Sequence, residues 1–274
     1  MKLGFGFFDG GLTMDEVLDC TKGAGFDAAF SDGAIASRVD EMKKFRDGCE
    51  KRGLLYETSH SDLYVSRSLW NPGDASELLS GRGLWHTDSD GEGCLGVLKG
   101  CVDNCKAVNV PILIIHVAVD PGDEKNYDRG RELISDLVAH AKKQGVKLAF
   151  ENINTELLLR RILHDFPEDH VGFCYDSGHS LCLTPPKADY TDLFDRLFCV
   201  HLHDNMGTSD IHDFPFTGIN DFAREMPLMR KAGYQGVITI EMGYKEKYHA
   251  RYTPQEFFNE AYRCAVRLAE LYEG

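Results

Sequence analysis

The 274-residue chain has no CxxC pair among its nine cysteines and only two tryptophans. No apolar run approaches the roughly 18 residues needed to cross a bilayer. Positive charge is scarce: 30 Lys and Arg stand against 44 Asp and Glu, a formal net charge of −14. Lack of CxxC pairs removes dithiol redox and zinc-ribbon readings. An odd cysteine count suits reduced thiols, as in a cytosolic protein. The negative balance weighs against nucleic acid, because a polyanion needs a local basic patch. The start, MKLGFGFFDGG, has neither the apolar core nor the cleavage site of a signal peptide. A cytoplasmic location with no membrane partner is therefore expected, and association with further copies of itself is left open. No linker or low-complexity stretch divides residues 1–274, so a single domain is expected.

What is present is a rhythm. Strand-like runs fall at 3–8, 28–32, 54–60, 112–117, 147–153, 171–176, 197–204 and 236–242. Helix-like segments lie between them, at 13–25, 37–52, 93–108, 127–144, 155–165, 189–195 and 219–232, and the chain ends on another from Thr253. Thr13 with Glu16 forms a capping box, and Pro254 occupies the first position of the last helix. Eight β–α alternations predict a (β/α)₈ barrel.

Nine potential metal ligands end or closely follow the strand-like runs: His60, His116, Glu151, Asp176, His179, His201, Asp210, His212 and Glu241. In a parallel barrel all nine meet at the C-terminal mouth. Imidazoles and carboxylates crowded in an apolar rim are expensive to bury, and a divalent cation is the usual compensation. Strand alternation supports one register. If His60, His116, Glu151, Asp176, His201 and Glu241 face the axis, so do Thr58, Ile114, Ala149, Cys174, Cys199 and Thr239 two positions earlier. All are small enough to fill an interior layer. Ser59, Ile115, Phe150, Tyr175, Val200 and Ile240 then face the outer helices. Glu151, Asp176, His201 and Glu241 form a hard, anionic set suited to Zn²⁺, Mn²⁺, Mg²⁺ or Co²⁺. His203 shares the register of His201 without an assignable partner and is read as structural. His86, His140, His164, His170 and His249 are read the same way.

Residues 61–91 are too long for a routine loop between a strand and its helix. Placed over the C-terminal mouth, they are expected to form a lid or substrate wall, with Arg67, Trp70 and Trp85 as substrate-binding candidates.

The stretches LAFEN, GFCYDSGHS, VHLHDN, DIHDFPFTGINDF and GVITIEM, in this order, resemble the xylose-isomerase-like TIM-barrel superfamily along essentially the whole chain. That group includes sugar phosphate isomerases and epimerases, ketose 3-epimerases, hydroxypyruvate isomerase, inosose dehydratase and endonuclease IV. The isomerase branch implies one divalent ion on Glu151, Asp176, His201 and Glu241, with both glutamates as acid and base and His179 on the substrate. Endonuclease IV implies three zinc ions on all nine positions. One to three ions per chain are thus expected. The sequence departs from the ketose 3-epimerases in having no Arg or Lys from Leu197 to Ala223. It departs from endonuclease IV in having NINTELLLRR after Glu151 rather than a small, Gly-rich stretch. The resulting expectation is a metal-dependent isomerase or epimerase of a small sugar, sugar phosphate or polyol. An abasic-site phosphodiesterase is the first alternative and a non-catalytic sugar-binding barrel the second.

Overall fold

The structure is a computed structural model that describes residues 1–7, 10–31, 35–61, 64–66, 77–79, 83–86, 89–117, 123–153, 156–167, 169–183 and 188–274. Eight parallel strands form one sheet: β1 (Leu3–Phe7), β2 (Ala28–Ser31), β3 (Thr58–His60), β4 (Ile112–Val117), β5 (Lys147–Asn152), β6 (Val171–Asp176), β7 (Leu197–His201) and β8 (Ile238–Ile240). Their order is β8-β1-β2-β3-β4-β5-β6-β7. A bridge from Leu202 to Ile240 joins β7 to β8 and completes the ring. The expected (β/α)₈ barrel is the observed fold. Around it lie α1 (Met14–Ala24), α2 (Val39–Arg52), α3 (Ser89–Val108), α4 (Tyr127–Gln144), α5 (Glu156–Asp165), α6 (Ser177–Cys182), α7 (Phe222–Lys231) and α8 (Pro254–Glu273).

Local chemistry sets the helix ends. Thr13 and Thr253 each accept the backbone N–H three residues on, and Glu16 and Glu256 reach back to complete both capping boxes. Helices α1, α2 and α4 close on Gly25, Gly53 and Gly145.

The strand register follows the alternation expected from sequence. His116 pairs with Glu151 and Ile114 with Ala149 across β4 and β5; Asp176 pairs with His201 and Cys174 with Cys199 across β6 and β7. Ile114, Ala149, Cys174 and Cys199 make a small apolar cluster of their own, the filled barrel interior. Ile115, Phe150, Tyr175, Val200 and Ile240 belong instead to the larger core beneath the helices. Period-two geometry thus divides each strand between two hydrophobic layers and leaves its last inward residue at the mouth.

Three elements differ from the sequence expectation. Helix α6, directly after β6, was not foreseen: six residues are too few for a periodic signal. The segment expected to be helical at 189–195 is a 3₁₀ helix, Thr191–Arg196. Within the long loop, Tyr64–Ser66 pairs antiparallel with Glu77–Leu79. Arg67 and Trp70 lie outside the described residues. Trp85 is 1% exposed within the large core, its ring stacked on Tyr127 at 6.1 Å. It packs the barrel's outer layer rather than offering a face to a ligand, which corrects its expected substrate-binding role.

Gly130 on α4 is what admits that ring, since a Cβ there would lie 2.0 Å from Trp85 Cε3. Gly130→Ala is expected to destabilise the fold by about 1–3 kcal/mol, the usual range for overpacking. Urea melts of the two proteins check this, and unchanged midpoints would contradict the packing role.

Outside the mouth, the Tyr175 hydroxyl donates to Glu225 Oε1 at 2.8 Å, tying β6 to α7. Burial pushes the Glu225 carboxyl up to about 8 against the opposing pull of Tyr175 and Arg224. Its folded pKa exceeds the unfolded value, so the folded state keeps a proton that the unfolded chain releases. This contribution to stability is present below about pH 4.5 and is lost as pH rises toward about 8. Glu225→Gln keeps the volume and an acceptor but cannot ionise. Its stability relative to wild type is expected to rise across that window by on the order of a few kcal/mol. Denaturant titrations at pH 5 and 8 measure it, and a pH-independent difference would refute the assignment.

Candidate metal centre

All nine expected ligands converge at the barrel mouth. Glu151, at the end of β5, is the hub. Its Oε2 lies 2.9 Å from His60 Nε2 and 3.4 Å from His116 Nε2; its Oε1 lies 3.3 Å from His201 Nδ1 and 3.5 Å from His179 Nδ1. His201 Nδ1 is also 3.3 Å from Glu241 Oε1. Asp210 Oδ2 is 3.3 Å from His179 Nε2, and Asp210 Oδ1 is 3.4 Å from His212 Nδ1. Glu151 and Asp176 are fully buried, and Glu241 is nearly so.

Among the described residues, four overlapping groups hold ligand atoms within 4.8 Å of one another: His60, His116 and Glu151; Glu151, Asp176, His201 and Glu241; His203, His212 and Glu241; and Glu151, Cys174 and His201. The first two share Glu151, and the third brings in His203, which is not among the nine expected ligands. Asp210 joins His179 to His212, and His203 stands beside His212 with their rings stacked at 4.0 Å.

Local structure fixes the donors. His60 gives its Nδ1 proton to the Ser61 carbonyl at 2.9 Å, and His179 gives its own to the Asn152 carbonyl at 2.9 Å. With Nδ1 committed, each ring turns an Nε2 lone pair toward a carboxylate oxygen. Two acceptors face each other stably only with a proton or a cation between them. The spacing fits a cation. Donor atoms of a tetrahedral shell of radius roughly 2.0–2.1 Å are about 3.3–3.4 Å apart. The His201–Glu151 and His201–Glu241 separations, both 3.3 Å, have that edge length. Among the described residues, His201 Nε2 and His116 Nδ1 are buried without a hydrogen-bond partner.

Electrostatics agrees. Burial works to raise the Glu151 carboxyl, yet His201 and His116 hold it well below the usual carboxylate range. Glu241 is likewise held low against burial, by His201 and His212. For Asp210, burial is again outweighed, by His179, His212 and His203, and the carboxyl falls to about 2. Burial lowers His179 and His201, but Asp176 with Asp210 and Glu241 with Glu151 override it and raise both. His116 goes the other way: burial dominates and lowers it. His179 and His201 thus face ionised carboxylates as protonated imidazoles, and a divalent ion would displace those protons.

Four residues that position the site went unassigned in the sequence. His203, read as structural, is fully buried with Nε2 3.0 Å from Asp176 Oδ1. Gly178 leaves room for its ring, because a Cβ there would come within 1.9 Å of His203 Cε1. Asn152 locks β5 to β6, accepting from Asp176 N and donating to Asp176 O, both at 2.8 Å. Buried Asp204 accepts from the amides of Asn205, Gly218 and Asn220 at 2.9–3.1 Å and so folds the loop that carries Asp210 and His212. Phe30 stacks on His201 at 4.5 Å as its floor. The signals available were the HLHD and FEN letters, without their backbone partners. Asp176 has two duties, since Oδ1 also caps α6 by accepting from His179 N at 2.6 Å. His140, His164 and His249 are engaged elsewhere, with Asp103, Asp165 and the Tyr244 carbonyl.

A closed ring of eight parallel strands with an imidazole–carboxylate cluster at its C-terminal mouth defines a (β/α)₈ barrel with candidate metal-binding groups at that mouth. The sequence model of the xylose isomerase-like TIM barrel family matches residues 18–262, and the chain belongs to that family. An uncharacterized protein of Sinorhizobium fredii, y4fM, is 28% identical over an alignment of 204 residues that covers 69% of this chain and 64% of that protein. The match therefore spans slightly under two thirds of that relative's length. Among solved structures, D-psicose 3-epimerase in the presence of D-fructose superposes with TM-score 0.74 at 14% identity, covering 100% of both chains. The IOLI protein with a binding zinc atom gives 0.73 at 16% identity, covering 100% of this chain and 98% of its own. At such identities the likeness is one of fold. Among the described residues, no helix is long and apolar enough to cross a membrane.

Proposed function

We propose that this protein is a divalent-metal-dependent isomerase or epimerase of a small sugar, sugar phosphate or related polyol. The observation that carries the reading is the placement of two buried glutamates around one imidazole. Glu151 on β5 and Glu241 after β8 each set Oε1 3.3 Å from His201 Nδ1, with Asp176 alongside. The likeness to a sugar epimerase and to a zinc-binding barrel supports it. Glu151, Asp176, His201 and Glu241 would hold the ion, Zn²⁺ or Mn²⁺ by preference of this mixed N/O set. When bound, it supplies Lewis-acid polarisation of substrate oxygens. One glutamate takes the carbon-bound proton and, once in its acid form, returns it or passes it to solvent; the other, having taken up a solvent proton, is the acid on the opposite side. His179, anchored through Nδ1, presents Nε2 beside Asp210 and, in its protonated form, donates to a substrate oxygen. The packed interior layer beneath closes the site to water from below.

A second reading has its own observation. His60 and His116 form a further group with Glu151, a multi-ion arrangement of the kind that serves phosphodiester hydrolysis. The chain's −14 charge opposes DNA binding. The test sets the two against each other: metal-loaded protein with a panel of sugars and sugar phosphates in deuterium oxide, and with abasic duplex DNA. Deuterium entering a substrate C–H position supports the isomerase. Nicked DNA with no exchange would replace it with the hydrolase.

A further inference from the structure

Most arginines of this chain are spoken for. Arg46, Arg52, Arg129, Arg160, Arg224 and Arg263 pair with carboxylates, and Arg196 and Arg230 cap backbone carbonyls. Arg251 and Arg267, like Arg161 over the Tyr127 ring, are among the exceptions. Neither side chain has a hydrogen bond or an ion pair among the described residues. Each instead rests on an aromatic face: Arg267 3.7 Å from the Phe216 ring centre and Arg251 5.7 Å from that of Tyr252. A guanidinium supported on a ring keeps its in-plane N–H donors for another partner.

Both arginines line one cavity of about 440 Å³, together with Arg263. It lies between the loop 213–217 that follows β7, the segment 248–252 that follows β8, and α8. None of the nine metal-centre residues lines it. Buried Phe214 and Pro215 contribute an apolar floor. Phe216, beneath Arg267, has φ of +73°, a left-handed conformation uncommon for a bulky residue. Such strain persists where the surroundings impose it, often at ligand sites. Two carboxylates also face the cavity, and both are already engaged. Asp213 is bound by Lys247 and by the Tyr248 hydroxyl, and Glu260 by Arg263.

We propose that this cavity is a second binding site, for a small phosphomonoester. The phosphate dianion bridges Arg251 and Arg267, whose forked donors suit its oxygens. Its organic body lies on Phe214, Pro215 and Phe216, and the volume suits a molecule of sugar-phosphate size. Two unpaired guanidiniums in a chain of net charge −14 favour a dianion over a neutral guest. The site stands independently of the activity proposed for the metal centre.

Calorimetric titration of the metal-loaded protein with inorganic phosphate and with glucose 6-phosphate tests it, with two variants alongside. Saturable binding is expected in wild type and in Asp176→Asn. In the Arg251→Ala/Arg267→Ala double variant it is expected to weaken at least about tenfold, as for loss of a charge-assisted hydrogen bond. Both arginines are exposed, so the double variant should fold, and its circular dichroism verifies that. No saturable binding in wild type would overturn the proposal. So would binding that survives in the double variant but vanishes in Asp176→Asn, which would put the anion at the metal centre.

Discussion

Glu151→Gln and Glu241→Gln should each abolish exchange of a substrate carbon-bound proton with solvent, by about 10²–10⁴-fold or more, the range for loss of a general acid or base. Gln keeps the side-chain volume and one oxygen for a cation, so the substitution isolates proton transfer. Both carboxyls are held well below the usual range by neighbouring histidines, against the effect of burial, and are therefore ionised acceptors at neutral pH. The two variants need not be equal. Glu151 also touches His60 and His116, whereas Glu241 contacts His201 and His212. Metal content measured alongside separates a lost base from a lost ion. A Gln variant that keeps both its metal and wild-type exchange would remove that glutamate from the chemistry.

Asp176→Asn is expected to strip the centre of its ion while leaving the barrel folded. Asn retains the volume and an oxygen that caps α6 at His179 N, which Ala would delete. What it removes is one full negative charge from a fully buried ligand beside His203. Wild-type protein should gain about 2.7 kcal/mol of apparent stability from an ion present at a hundred times its dissociation constant. The variant should gain almost none. Elemental analysis and melting curves with and without a chelator read this directly. Full metal occupancy in Asp176→Asn would dismiss the proposed ligand set.

Much of the architecture was legible because a barrel strand carries a simple period. Inward Ile114, Ala149, Cys174 and Cys199 alternate with outward Ile115, Phe150, Tyr175 and Val200, and the same parity delivers Glu151, Asp176 and His201 to the mouth. What stayed hidden depends on where the backbone goes between strands. His203 could not be separated from a bystander histidine until α6 and Gly178 were in place beside it. Asn152 and Asp204 act on main-chain amides and carbonyls, which have no letter in a sequence. Trp85 looked like a loop aromatic available to substrate because its partner, Gly130, lies 45 positions away and carries no side chain to announce the contact.

Asp204 has a consequence for how such a barrel changes its preferences. The arc it organises is pinned at its base by reciprocal backbone hydrogen bonds between Asp204 and Asp213 and by the amides of Gly218 and Asn220. None of these attachments uses a side chain from the arc's crest. Met206, Thr208 and Ser209 there are exposed. The crest therefore behaves as an exchangeable cassette. Substitutions at its outward residues re-shape the rim, while the pinned base holds Asp210 and His212 in place.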